Sequence, residues 1–218
     1  MNMNRRKRML LTVGSLLVSL ALCLLLYRFD NKYTHQACQP ISGVLSVAEK
    51  PMAQAALFFL TREWEFFPGV SLSPEELAHY NGYRCYTDIG GADALAHGCG
   101  TYRMTLLLPD QEATYALEIP EIFSACQLFL NGRPLLALGE PSPQGYAEGI
   151  ANRILPFDAA GRTELLLRTC DFSGVYSGMT FPPTFGTAQA VGHMREIRLL
   201  LHGGAVLLAL LGFALAAA

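Results

Sequence analysis

GCGTYRMTLLLPDQEATYALEIPEIFSACQLFLNGRPLLALG, running from Gly98 to Gly139, is the stretch whose pattern decides the fold. Tyr102, Met104, Leu106 and Leu108 fall on one face of an extended strand, and Thr101, Arg103 and Thr105 fall on the other. Pro109-Asp110 marks a turn. The pattern then repeats, with Tyr115, Leu117 and Ile119 opposite Thr114, Ala116 and Glu118, and stops at Pro120. A third run, Ile122 to Leu130, meets Asn131-Gly132, the pair best suited to the two positive-φ positions of a type I′ turn. Leu135 to Leu138 is its return strand. Pro134 has no N–H for a ladder, which puts that strand at an edge or makes its start irregular. Short antiparallel strands that are half polar and half apolar predict a mainly β protein built as a β-sandwich.

Outward from this centre, the flanks read as membrane segments. Arg5, Arg6, Lys7 and Arg8 precede Met9 to Tyr27, 19 residues without charge that span about 28 Å as a helix. Residues 1–8 are therefore a basic cytoplasmic terminus and 9–27 a transmembrane anchor, with the chain beyond it outside the cell membrane. A cleaved signal peptide is the competing reading, but no Ala-x-Ala-like site follows the apolar stretch. Leu22 before Cys23 is too large for a lipoprotein processing site. Leu199 to Ala218 is a second uncharged stretch of about 30 Å, which returns the chain to the cytoplasm. Residues 28–54 then form a juxtamembrane linker with a first strand offered by Ile41 to Val47, residues 55–190 the extracytoplasmic domain, and residues 191–198 a connector.

Within that domain, Ser73-Pro74-Glu75-Glu76 is a helix start, with Ser as N-cap, Pro in the first turn and acids behind it. Tyr83 to His97 and Glu140 to Asn152 read as loops. Arg153 to Phe157 and Thr163 to Cys170 read as strands, and Asp171 to Gly186 as an aromatic, Gly- and Pro-rich closing segment.

Composition narrows the function classes. Hydrophobic residues make up 51% and charged residues 16% of 218, which suits one folded domain tied to a membrane. Setting aside the four basic residues at the terminus leaves 12 basic against 18 acidic residues, so nucleic acid is not an expected partner. No Gly-x-Ser-x-Gly elbow or phosphate loop occurs, and Gly98-x-Gly100 leads into a strand where a dinucleotide fold needs a helix. Glu75, Glu76, Asp88 and Asp93 lie in surface-like stretches, so no catalytic residue is assigned and no enzyme is expected. The histidines are scattered and no Cys-x-x-Cys occurs, so no metal site is expected either.

Five of the six cysteines lie outside the anchor, an odd number that leaves at least one thiol free or bridging a homodimer. Cys85 and Cys99 flank one loop and form the preferred disulfide. Cys126 falls on the apolar face of its strand and is expected as a buried thiol.

The order Gly98-x-Gly100-Thr101-Tyr102-Arg103, Ile119-Pro120-Glu121-Ile122-Phe123-Ser124-Ala125 and Leu128-x-Leu130-Asn131-Gly132 resembles the galactose-binding-like jelly roll. It is most similar to the form carried outside the membrane by bacterial seven-transmembrane receptors with diverse intracellular signalling modules, and by related histidine kinases and nucleotide cyclases. The sugar-binding domain of family 2 glycoside hydrolases has a similar order. The resemblance runs from about Trp64 to Gly186. It implies a sensor that binds a carbohydrate or another small molecule, with the output half missing beyond the second membrane helix; a two-anchor protein and a truncated product are the other readings. Related jelly rolls also carry a structural calcium. In the family, Asn-Phe and a Gly pair follow the strand where this chain has Asp171-Phe172 and spread glycines. Sugars favour aromatic platforms beside hydrogen-bonding side chains, so Trp64, Tyr83, Tyr86, Arg103, Asp171 and Tyr176 are the candidate ligand residues, against the readings that Trp64 packs in the core and that Arg103 pairs with a carboxylate. A module that binds another protein, or a second copy of itself, is the alternative.

Overall fold

The structure is a computed structural model that describes residues 5–29, 31, 38–47, 56–90, 98–174 and 177–217. The elements in chain order are α1 (Arg5–Phe29), β1 (Val44–Ser46), β2 (Leu57–Phe59), β3 (Trp64–Pro68), α2 (Pro74–His79), β4 (Cys85–Thr87) and β5 (Gly98–Leu107). They continue with β6 (Ala113–Ile119), β7 (Ala125–Leu130), β8 (Arg133–Leu138), β9 (Arg153–Ala159), β10 (Arg162–Asp171), β11 (Thr184–Thr187) and α3 (Ala188–Ala217). They form two compact units, His35–Val191 and the paired termini Met1–Thr34 with Gly192–Ala218.

The first unit is the β-sandwich that the alternation predicts. Its large sheet runs β4-β3-β5-β10-β7-β8, with β1 added parallel to the end of β5, and its small sheet runs β2-β11-β6-β9. Strand parity holds as read: Tyr102, Met104, Leu106 and Leu108 are buried, and Tyr115, Leu117 and Ile119 face them from the small sheet. Phe66 stacks on Tyr102 with ring centroids 4.6 Å apart, while Tyr115, Phe157 and Phe185 cluster on the other side. Trp64 is 1% exposed and donates its indole N–H to the Leu60 carbonyl at 2.8 Å. Its ring belongs to the core, the first of its two expected roles, and offers no sugar platform.

The Asn131-Gly132 hairpin also holds, with φ of 47° and 78° at the two turn residues. β8 lies at the edge of the large sheet, and the register shifts between Leu128 and Phe129, opposite Pro134. Two strands lie inside stretches that read as loop or closing segment, because they are too short for periodicity to show. Cys85–Thr87, within the expected loop, pairs with β3, and Thr184–Thr187, within the closing segment, sits between β2 and β6. Gly186 is needed in that inner strand, since a Cβ there would meet the Ala56 carbonyl oxygen at 2.6 Å.

The disulfide differs from expectation. Cys99 is bonded to Cys170, and Cys85 is a free thiol. The cause is register: Cys99 and Cys170 stand directly opposite on β5 and β10, with Cα atoms 4.0 Å apart, whereas Cys85 pairs with Phe66 on β3. Cys126 is the buried thiol that its position predicts, and burial pushes it up to about 11.

In the second unit, α1 and α3 are each long and apolar enough to cross a membrane. They meet through small residues: the Ser19 hydroxyl donates to the Ala205 carbonyl at 2.9 Å, and a Cβ on Gly212 would lie 2.5 Å from Ser15 Oγ. Residues 191–198, expected as a connector, are helical and continuous with the rest of α3.

Peptide mapping without reductant should recover Cys99 linked to Cys170, and a Cys85–Cys99 peptide would overturn this pairing. Closing a chain separation of 71 residues, the bridge should contribute about 4 kcal/mol in the loop-closure account. Denaturant unfolding of Cys99→Ser should show most of that loss.

Candidate functional site

The outer face of the large sheet carries two of the candidate ligand residues, Tyr86 and Arg103. Its outward-facing residues line up in rows across the strands, because each antiparallel register places one residue per strand opposite the next. One row runs Tyr86, Glu65, Arg103, Leu166 and Phe129 from β4 to β7. The next runs Phe67, Thr101, Arg168, Gln127 and Ala137 from β3 to β8.

The connection from β3 to β4 folds over part of this face. Thr101 Oγ1 accepts from the Leu72 N–H and donates to the Val70 carbonyl, both at 2.9 Å, and Tyr80 meets Phe67 edge to face at 5.6 Å. α2 closes that connection. Ser73 and Glu76 form a reciprocal capping box, as the sequence signature predicts. Hydrogen bonds from Ser73 hold the Glu76 carboxyl below its usual range, with Arg168 as a smaller contributor.

In the first row, Glu65 is buried and paired. Arg103 approaches it through Nε and Nη2, and Arg84 Nη1 lies 3.3 Å from its other oxygen. Arg103 also reaches Glu164 at 3.9 Å and lies over the Phe67 ring at 5.9 Å. Tyr86 is 52% exposed beside this network and Tyr83 is 70% exposed. The structure thus brings Tyr86 and Arg103 together through Glu65, and leaves Tyr83 on the surface nearby in sequence.

In the second row, Arg168 donates from both Nε and Nη2 to Gln127 Oε1 and lies over the Phe129 ring at 5.5 Å. Beside this pair is a cleft of about 90 Å³ whose walls include Ser71, Ala137, Gly139, Pro141 and Cys170. Gly139 and Gly149 permit the loop wall to approach: a Cβ on Gly139 would meet the Ala147 carbonyl oxygen at 2.3 Å. Sequence reading missed Arg168 and Gln127. Both are polar residues at outward parity in otherwise apolar strands, which is a visible signal, but their juxtaposition requires the β7–β10 register.

Asp171 sits apart from these rows, at one end of the sandwich. It is fully buried, and its carboxylate accepts hydrogen bonds from Tyr146 Oη at 3.0 Å, from the Ser173 N–H and hydroxyl at 2.7 Å, from the Gly174 N–H at 3.2 Å, and from Ser177 Oγ. These bonds tie the 140–149 loop to the 171–178 segment. Asp171 is a loop organiser with its oxygens already occupied, so it is not open to a ligand. Burial pushes its carboxyl up, but the bonds from Ser177, Ser173 and Tyr146 outweigh that and bring it to about 2. Burial and the adjacent carboxylate push the Tyr146 phenol up to about 12. Tyr176 lies outside the described residues. Among the described residues, no group of three or more His, Cys, Asp and Glu converges as a metal site would require.

Several solved structures resemble the sandwich. They include a family 2 β-galacturonidase from Eisenbergiella tayi bound to galacturonate (13% identity, TM-score 0.43, covering 61% of this chain and 24% of that one). A β-glucuronidase from Ruminococcus gnavus gives 12% identity and a TM-score of 0.42 over 63% and 30%. A glycosyl hydrolase family 2 member from Bacteroides cellulosilyticus gives 13% and 0.45 over 60% and 20%. The chain thus spans less than a third of each of these proteins. No protein-family model matches the sequence, and no curated protein matches it.

The Asp171 bonds set an acid dependence. A carboxyl lowered in the folded state contributes stability above its unfolded value near 4, and that contribution is lost as pH falls toward about 2. Thermal unfolding between pH 5 and 2 should therefore be steeper in pH for the parent than for Asp171→Asn. Equal slopes would show that the carboxylate does not hold the loops.

Proposed function

We propose that this chain is the extracytoplasmic ligand-sensing module of a membrane-bound signal-transduction receptor, with binding rather than catalysis as its task. The observation that carries the reading is the order of the chain: a β-sandwich with a polar, partly covered sheet face lies between two helices of membrane-crossing length. The disulfide supports an oxidising compartment for the sandwich, and the basic cluster before α1 supports a cytoplasmic N-terminus. The ligand class is a carbohydrate or another small molecule, met by the outer face of the large sheet, where Tyr86 and Arg103 stand beside an exposed edge.

Transmission would run through β11. That strand ends at Thr187 and α3 begins at Ala188, and Thr187 Oγ1 accepts from the Ala190 N–H at 3.2 Å. A ligand that binds two arrangements of the sandwich unequally would thereby bias the helix; one that binds both equally would bias nothing. A second reading, self-association at the cell surface, is favoured by Cys38, an exposed free thiol outside the membrane segments.

The full chain in lipid nanodiscs should be thermally stabilised by at least one member of a glycan and metabolite panel, and Tyr86→Ala should reduce that stabilisation without lowering the unliganded Tm. A panel without effect, together with a disulfide-linked dimer on a non-reducing gel that Cys38→Ser abolishes, would replace the sensor reading with the self-association one. A membrane-impermeant maleimide should label Cys38 in intact cells, and labelling only after lysis would overturn the extracytoplasmic placement.

A further inference from the structure

Two arginines on adjacent strands of the outer face are provided for in opposite ways. Arg103 has two carboxylates, Glu65 and Glu164, within ion-pair distance. Arg168 has none within 4.0 Å among the described residues, and its fork is held by the neutral side-chain oxygen of Gln127. Two parallel N–H groups of a guanidinium match the two oxygens of a carboxylate, and here an amide oxygen occupies them without cancelling the charge. Arg168 is the smallest of the causes that lower the Glu76 carboxyl, and Glu76 Oε2 accepts from the Ser73 N–H at 2.7 Å as part of the α2 cap. The stacking of Arg168 over Phe129 fixes the plane of the guanidinium beside the cleft.

The cleft has room for one functional group. Its volume of about 90 Å³ is well below the several hundred Å³ of pockets that enclose a whole drug-sized molecule. Its walls add Ser71 and the Gln127 side chain as hydrogen-bonding groups, while Ala137 and Pro141 contribute none from their side chains. One unbalanced guanidinium in a small, largely apolar recess suits a planar monoanion. A phosphate, carrying close to two charges, would be left under-compensated.

We propose that the Arg168–Gln127 cleft on the outer face of the large sheet receives the carboxylate of a small acidic ligand, whose remaining atoms lie outside the cleft. The ligand carboxylate takes hydrogen bonds from the Arg168 N–H groups that Gln127 leaves unoccupied, those on Nη1 and the second on Nη2, in a cleft that Ser71 and Gln127 also line. This inference rests on the ligand-binding reading above and specifies its chemistry. It also accounts for a neutral residue at position 127, where an acid would satisfy Arg168 internally and close the site to an external anion.

The test uses the full chain in neutral-lipid nanodiscs, with acetate and D-glucuronate as probes and acetamide and D-glucose as uncharged counterparts, at constant ionic strength. Both carboxylates should raise Tm saturably and the uncharged counterparts should not. Arg168→Gln should weaken that response about tenfold or more, the expected scale for losing charge-assisted hydrogen bonds. Gln127→Glu should raise the unliganded Tm and abolish the response, which keeps the test decisive if Arg168→Gln fails to fold. Inorganic phosphate acting more strongly than the carboxylates would overturn the assignment, as would the absence of any carboxylate response or a full response in Gln127→Glu. A panel glycan without a carboxylate that stabilises the chain would overturn this inference while leaving the sensor role standing. Carboxylate binding at Arg168 with no ligand-dependent change in α3 would do the reverse.

Discussion

The pairing of β5 with β10 is the constraint on which the sandwich depends. It runs in register from Arg162 opposite Leu107 to Asp171 opposite Gly98, and the Cys99–Cys170 bond locks one end. β3 and β7 add to its two sides, so their registers follow from it. The inward parity of this pair places Tyr102, Met104, Leu106, Leu165 and Leu167 against the small sheet, where their burial supplies the main favourable term. Its outward parity places Arg103 and Arg168 on the opposite face. A one-residue slip would exchange the two sets and bury both arginines in the core, which is why the register is strongly specified.

The same pairing separates two kinds of polar site. Asp171, at the end of β10, turns inward among the loops and is surrounded by donors from Tyr146, Ser173, Gly174 and Ser177. Its burial is tolerable because those bonds satisfy the charge, and in doing so they leave no capacity for a ligand. Arg168, three residues earlier, is half-buried and is met by an amide. Arg103 is charge-compensated, with Glu65 and Glu164 within ion-pair distance. Of the two arginines, Arg103 has carboxylates within 4.0 Å and Arg168 has none among the described residues.

Covering matters as much as charge. Leu166 and Phe129 are buried although they point away from the core between the sheets, and the β3–β4 connection with its capped helix packs over this side through Leu72 and Tyr80. A bare sheet face would be a flat surface. The strap and the 140–149 loop turn one part of it into a recess, and recesses are where small ligands find enough contact.

The sequence by itself determined the local structure: the alternating strands, the Asn131-Gly132 turn, the α2 cap, the buried Cys126 thiol and the two membrane-length helices. Each depends on neighbours within a few residues, through side-chain parity, backbone φ or unbroken hydropathy, so each is visible in a short window. Only the tertiary structure decided that Cys99 bonds to Cys170, that Trp64 belongs to the core, that Asp171 is fully occupied, and that Arg168 shares its row with Gln127. These are pairings across 71 residues or between strands whose register no short window contains. Loop closure makes chain separation a poor guide to partners, and the shared requirement to bury one face of every strand is what selects among them.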